Sequence, residues 1–190
     1  MSGTIFIRIL NPATLDAAWI LKPPAEGEES TVQYGSLSDA AAPAEGNRVV
    51  VLTPGTDVLL TRTSIPSRNK QRLLKAIPYT FENQILNDVD TQHFAIGTRD
   101  KSGNIPVAII KKSTIESLVD LLQQNNIQAN VITPDTLTLP WVPNSWTILR
   151  ENNLCLVRTS ESSGLSIEAE NLNELVQASI GEDPEQAAER

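Results

Sequence analysis

The segment WTILRENNLCLVRTSESSGLSIEAENLNELV (residues 146–176) reads as three short strands followed by a helix. Trp146 to Arg150 and Leu154 to Arg158 are apolar-rich runs joined by Glu151-Asn152-Asn153. From Gly164 to Glu168, Leu165 and Ile167 alternate with Ser166 and Glu168, the period of a strand with one buried face. Asn171 then caps a helix carrying Leu172, Leu175, Val176 and Ile180 at helical spacing. The same order opens the chain. Ile5, Ile7 and Ile9 alternate through Thr4 to Leu10, Asn11-Pro12-Ala13-Thr14 forms a turn, and Asp16 to Leu21 returns as the second arm of a hairpin. After the polar loop of Lys22 to Ser30, a third strand is expected over Thr31 to Leu37, with a short alanine-rich helix from Ser38 ending near Pro43. The two halves are dissimilar in residues; only the order of elements repeats.

Between these cycles, Arg48 to Leu52 is a continuous apolar run, as in a strand buried on both faces. Val58 to Thr63, His93 to Thr98 and Ile105 to Lys111 read as further strands, and Pro106 predicts that the last lies at an edge or begins at the proline. Ser113 to Asn125 carries Ile115, Leu118, Val119 and Leu122 on one helical face, with Ser113 and Glu116 spaced as a capping box. A short strand from Asn130 to Ile132 precedes a turn between prolines.

A hairpin, a third strand and a helix describe the start of a ribonuclease H-like unit, and two such units in tandem suggest the actin-like architecture. The expected class is therefore mixed α/β, a degenerate actin-like or ribonuclease H-like superfold with mixed sheets and flanking helices. The expected organisation is a first ribonuclease H-like subdomain at 1–57 plus 108–140, a small inserted α+β subdomain at 58–107, and the start of a second ribonuclease H-like subdomain at 141–190. Such an order of elements fixes no function by itself.

Composition narrows the chemistry. The 190 residues are 40% apolar, enough for a packed core, and the formal charge of −8 argues against general nucleic-acid binding. With one cysteine and one histidine, the chain can build neither an internal disulfide nor a zinc site of the usual kind. A Ser-His-Asp or Cys-His centre would have to use His93, which has no second histidine or cysteine to share a metal. Cys155 sits in an alternating strand and reads as a buried, inert thiol. No signal peptide and no run of 18 apolar residues is present, and the polar ending GEDPEQAAER resembles a linker.

Three segments carry a family resemblance: RVVVLTPGTDVLLTRTSIPSR (48–68), RLLKAIPYTFENQILNDVDTQHFAIG (72–97) and the segment from Trp146 to Val176. A strand ends in Pro54-Gly55, a VLLT strand follows, a helix holds Pro78 ahead of Phe81 and Glu82, and a strand carries His93-Phe94. In this order they resemble the cytoplasmic domain of the type II secretion system protein L family, over most of Arg48 to Val176. The resemblance implies a single-pass protein of the bacterial inner membrane, whose cytoplasmic part has an actin-like fold without ATPase activity. It implies recruitment of the N-terminal domain of the secretion ATPase. It also implies pairing with the companion platform protein M and other inner-membrane platform proteins, and it allows a homodimer. On this reading the chain is a soluble cytoplasmic portion and needs no cofactor, and its transmembrane helix lies outside it.

The enzymatic alternatives find little support. Active actin-like ATPases hold phosphate between two hairpin turns that supply a carboxylate, a glycine and backbone N–H groups. Here Asn11-Pro12-Ala13-Thr14 lacks both carboxylate and glycine, and Arg150-Glu151-Asn152-Asn153 lacks glycine. A ribonuclease H-type centre needs an acid on the first strand for its two metals, and Thr4 to Leu10 has none. Asp88 and Asp90 suggest a metal site or a solvated helix end, without a metal-loop motif around them. No phosphate-loop pattern occurs. The competing functional reading is an actin-like, pilus-assembly type protein that retains ATP binding.

The stretch from Val58 to Phe81 holds five cations (Arg62, Arg68, Lys70, Arg72 and Lys75) and no acid. On a helix, Arg68, Arg72 and Lys75 share one face, while Leu74, Ile77, Phe81 and Ile85 form an apolar stripe. Pro78 predicts a kink or a break into two helices. The basic face is either merely solvated or a docking surface for an acidic partner or anionic lipid headgroups.

Overall fold

The computed structural model describes residues 3–22, 30–67, 69–85 and 88–181. In chain order the elements are β1 (Thr4–Asn11), β2 (Asp16–Lys22), β3 (Gln33–Ser36), a 3-10 turn and α1 (Ala41–Ala44), β4 (Arg48–Thr53), β5 (Val58–Thr63) and α2 (Lys70–Thr80). They continue with β6 (Gln92–Ile96), β7 (Ile105–Lys111), α3 (Lys112–Gln124), β8 (Val131–Pro134), β9 (Thr147–Glu151), β10 (Leu154–Arg158), β11 (Gly164–Glu168) and α4 (Leu172–Gly181). The chain divides into two units, residues 1–54 with 112–135, and residues 55–111 with 136–190.

The first unit is built on a five-stranded sheet of order β3-β2-β1-β4-β8. β1 and β2 form the expected antiparallel hairpin, from Thr4↔Lys22 to Ile9↔Ala17. β4 runs parallel to β1, from Thr4↔Arg48 to Arg8↔Leu52, and β8 runs parallel to β4. Such parallel neighbours require crossovers, which α1 and α3 provide. The alternation of β1 buries Ile5 and Ile7 completely, and Val49, Val51, Leu37, Leu122 and Ile127 complete the core. Gly35 is fixed by contact: a Cβ there would lie 2.9 Å from an Asp39 carboxylate oxygen and 3.1 Å from the Trp19 ring.

Two local expectations are corrected in α3 and β7. α3 begins at Lys112, directly after the last strand residue Lys111, so Ser113 lies inside the first turn and is not the N-cap. No loop intervenes where a capping box could form. Pro106 lies neither at a sheet edge nor at the first strand position: β7 is the central strand of a three-stranded sheet, order β5-β7-β6. The sheet accommodates the proline at the end of one ladder. Gly97 N–H donates to the Pro106 carbonyl at 2.8 Å, but proline has no N–H to return, and β6 stops pairing at Ile96↔Val107.

In the second unit, Ile105, Val107 and Ile109 of β7 form a core with Ile77 and Phe81. A separate antiparallel sheet has the order β11-β10-β9, with Cys155, Leu156 and Val157 of β10 buried. Its strands and the helix after them repeat the order of β1, β2, β3 and α1.

Candidate partner-binding face

α2 starts where Asn69 caps it: the Asn69 side-chain oxygen accepts the N–H groups of Gln71 at 2.9 Å and Arg72 at 3.2 Å. The helix is a single element with Pro78 in its last turn, rather than two short helices. Pro78 cannot bond to the Leu74 carbonyl, and the chain leaves the helix three residues later, where Thr80 Oγ1 donates to the Ile77 carbonyl at 2.7 Å. Phe81 and Ile85 reach the core from the turn that follows.

This shorter helix shifts the buried stripe. Ile77 is 0% exposed and Leu73 packs beside it, an i, i+4 pair, whereas Leu74, expected in the stripe, is 47% exposed. The outer face presents Arg72, Lys75 and Tyr79 at i, i+3 and i+7, all exposed. Among the described residues neither Arg72 nor Lys75 has an ion-pair partner. Because the helix begins at Lys70, the expected trio is not assembled on it, and Arg68 lies outside the described residues.

Several residues singled out by chemistry have structural positions. Asp88 caps a 3-10 turn, its Oδ1 accepting the Asp90 N–H at 2.9 Å. His93 is exposed on β6, and Cys155 is fully buried on β10. Among the described residues no group of three His, Cys, Asp or Glu side chains is placed to hold a metal ion. No helix among them is long and apolar enough to cross a membrane.

The two hairpin turns show how the phosphate positions are built. In the first, the Ala13 N–H is already donated to Asn11 Oδ1 at 3.0 Å, Pro12 has no N–H, and Thr14 Oγ1 donates to Asp16. Leu15 adopts φ +59°, and its carbonyl accepts the Leu37 N–H at 2.7 Å. In the second, Asn152 takes φ +54°, and Arg150 Nε donates to the Asn152 carbonyl at 3.3 Å. Neither turn contains a glycine that would let a phosphate approach the backbone.

Sequence reasoning missed three charged residues that make long-range or multiple polar contacts. Asp135, after β8, is buried and pairs with Arg8 of β1 at 3.4 Å, so a cation occupies the strand where a nuclease would need an acid. Arg99 binds the carbonyls of Gly103, Ile65 and Ser67, tying the β6–β7 turn to the approach of α2. Arg158 binds four carbonyls, those of Leu137, Leu139, Ser160 and Glu161. The partners of Arg99 and Arg158 are backbone groups, which leave no pattern in a sequence.

Comparison with known proteins agrees over nearly the whole chain. The family model for type II secretion system (T2SS), protein L, matches residues 6–185. The chain is 27% identical over 168 residues to type II secretion system protein L of Dickeya chrysanthemi, covering 86% of this chain and 42% of that protein. It thus spans less than half the length of that relative. Among solved structures, the cytoplasmic domain of EpsL, an inner-membrane component of the type II secretion system of Vibrio cholerae, aligns with a TM-score of 0.80 at 23% identity, over 96% of this chain and 78% of that one. A Bacteroides thetaiotaomicron protein with an actin-like ATPase fold aligns with a TM-score of 0.50 at 13% identity, over 93% of this chain and 76% of that one. At these identities the likeness is one of fold, and the mixed α/β architecture is shared with actin-like proteins.

Proposed function

The chain belongs to the type II secretion system protein L family, and from that premise we propose that it is a non-enzymatic cytoplasmic adaptor that recruits the secretion ATPase through the ATPase's N-terminal domain. The observation that carries the non-enzymatic part is the first hairpin turn. There the Ala13 N–H is donated to Asn11 Oδ1, Pro12 has no N–H, and no glycine opens the backbone to a phosphate. A calorimetric titration with Mg·ATP tests it, with an active actin-like ATPase run in parallel. We expect no saturable heat up to about 1 mM nucleotide, a limit equivalent to a binding free energy weaker than about 4 kcal/mol. Saturable micromolar binding would favour instead a pilus-assembly type protein that retains ATP.

The adaptor works at the cytoplasmic face of the bacterial inner membrane, attached through a transmembrane helix elsewhere in the full protein. Its partners in the platform are protein M and other inner-membrane components, with a second copy of itself as a further candidate. Residues 1–57 with 108–140 act as a first ribonuclease H-like subdomain, 58–107 as the insertion, and 141–190 as the start of a second such subdomain. The repetition of β3-β2-β1 by β11-β10-β9 supports this reading.

The docking face is the outer side of α2, with Arg72, Lys75 and, two residues ahead of the helix in sequence, Arg68 meeting an acidic surface of the ATPase domain. Exposed charges such as Arg72 and Lys75, which have no ion-pair partner among the described residues, contribute little to stability and more to association. Reversal of all three to glutamate is expected to leave the melting temperature within about 2 °C. It should weaken binding of the ATPase N-terminal domain by at least roughly tenfold, measured by biolayer interferometry. Unchanged ATPase-domain and anionic-vesicle binding would return this face to simple solvation.

A further inference from the structure

We propose that Tyr79 is the anchoring residue of the outer face of α2, and that this face takes an acidic, amphipathic segment of a partner protein. The segment seats its apolar side on the Tyr79 ring and meets Arg72 and Lys75 with its carboxylates. The inference rests on the docking role of this face and deepens it, adding an apolar contact to a site otherwise defined by charge.

At about 100° per residue, Arg72, Lys75 and Tyr79 fall within a sector of about 60° around the helix axis, along about 10 Å of its length. Leu73 and Ile77, which pack into the core, point roughly the opposite way. Tyr79 is 69% exposed. Glu82, the first acid after the helix, makes no ion pair with Arg72 or Lys75, so both cations are open to carboxylates arriving beside the ring. Leu74 and the half-buried Pro78, at i and i+4, border the sector beyond Lys75 and extend its apolar side.

A single exposed aromatic residue is ordinary on a protein surface. Tyr79 differs in how its backbone is held. Ile77, two residues before it, is 0% exposed, and Phe81, two residues after it, is 2% exposed. The Thr80 hydroxyl donates to the Ile77 carbonyl at 2.7 Å, the Phe81 N–H donates to the Pro78 carbonyl at 3.1 Å, and Pro78 fixes its own φ. The ring therefore projects from a pinned segment, and only its side-chain torsions remain to be ordered on binding. Tyrosine and arginine are also the residue types enriched at the centres of protein interfaces. A protein segment fits better than a lipid surface, which would reward many cations. Two described cations stand on this face, on a chain whose formal charge is −8.

The test titrates the isolated N-terminal domain of the secretion ATPase into the unaltered chain, Tyr79→Ala, Tyr79→Phe, and Arg72→Gln with Lys75→Gln. The alanine variant and the glutamine pair should each bind at least roughly tenfold more weakly, and the phenylalanine variant within about threefold of the unaltered chain. The chain's two tyrosines, Tyr34 at 74% and Tyr79 at 69% exposure, allow a second reading without substitution. Tetranitromethane should nitrate both in the free chain, and the ATPase domain should protect Tyr79 while Tyr34 stays reactive. This footprint decides the matter if the alanine variant fails to fold. Weaker binding by the glutamine pair alone, or Tyr79 nitrated as fast in the complex as in the free chain, would overturn the anchor and leave the docking face standing. Weaker binding by Tyr79→Ala alone would overturn the acidic character of the segment. Unchanged binding by every variant, or no binding by the unaltered chain, would overturn the anchor and the docking face together.

Discussion

Arg158→Ala is expected to destabilise the chain by about 3 kcal/mol, since a hydrogen bond from a charged donor contributes roughly 1.5–3 kcal/mol and stranded carbonyls carry a further desolvation cost. The guanidinium at the end of β10 donates through Nη1 to the carbonyls of Leu137 at 2.7 Å and Leu139 at 2.6 Å, through Nη2 to Glu161 at 2.6 Å, and through Nε to Ser160 at 3.1 Å. One side chain thereby joins the segment after β8 to the turn between β10 and β11. For a chain of this size the loss corresponds to a fall in Tm of about 6–12 °C, read by differential scanning calorimetry. Arg158→Lys should recover less than half, because an ammonium cannot span four carbonyls in the fixed fork of a guanidinium. A change within 1 °C for the alanine variant would show that solvent replaces these bonds without cost.

Ile77→Ala is expected to cost about 3–4 kcal/mol, within the range for truncating a buried isoleucine. Ile77 is fully buried against Phe81, Ile105, Val107 and Ile109, and it is the contact that seats α2 on the sheet. The neighbouring substitution Leu74→Ala serves as the internal contrast. Leu74 is half exposed, and its loss should cost under about 0.5 kcal/mol, the usual size for a surface change. Urea unfolding of the two variants therefore tests which face of α2 is inward. Equal destabilisation would restore the stripe read from the sequence. Amide exchange of β5, β6 and β7 in the Ile77 variant should accelerate more than that of β1 and β4, because the contacts removed lie in the second unit.

Much of the architecture was legible because it rests on period-2 alternation and turn residues. Val58–Thr63, Ile105–Lys111, Leu154–Arg158 and Gly164–Glu168 fold as strands with the bounds expected of them. The hairpin of β1 and β2 followed from Ile5, Ile7 and Ile9 on one side of Asn-Pro. The face of α2 was not legible. Leu73–Ile77 at i, i+4 and Leu74–Ile77 at i, i+3 are both helical spacings, and the choice depends on where the helix ends. It ends at Thr80 because Pro78 weakens its last turn, which takes Phe81 and Ile85 off the helix. Pro106 misled for a related reason. A missing N–H forbids a bond, not a position, and β7 can be central because the ladder on its β6 side stops at Val107, one residue short of the proline. These charged contacts were invisible because Arg99 and Arg158 bind carbonyls that every sequence supplies, and Arg8 meets Asp135 across 127 positions of chain.

Membership of the type II secretion system protein L family places the chain among the components of that system. The proposed adaptor role rests on recruitment, which is measured most directly by isothermal titration of the secretion ATPase's isolated N-terminal domain into the folded chain, with and without Mg·ATP. Saturable binding with unchanged affinity in both buffers is the predicted result. No binding to a chain shown to be folded, or binding that appears only with Mg·ATP, would contradict it.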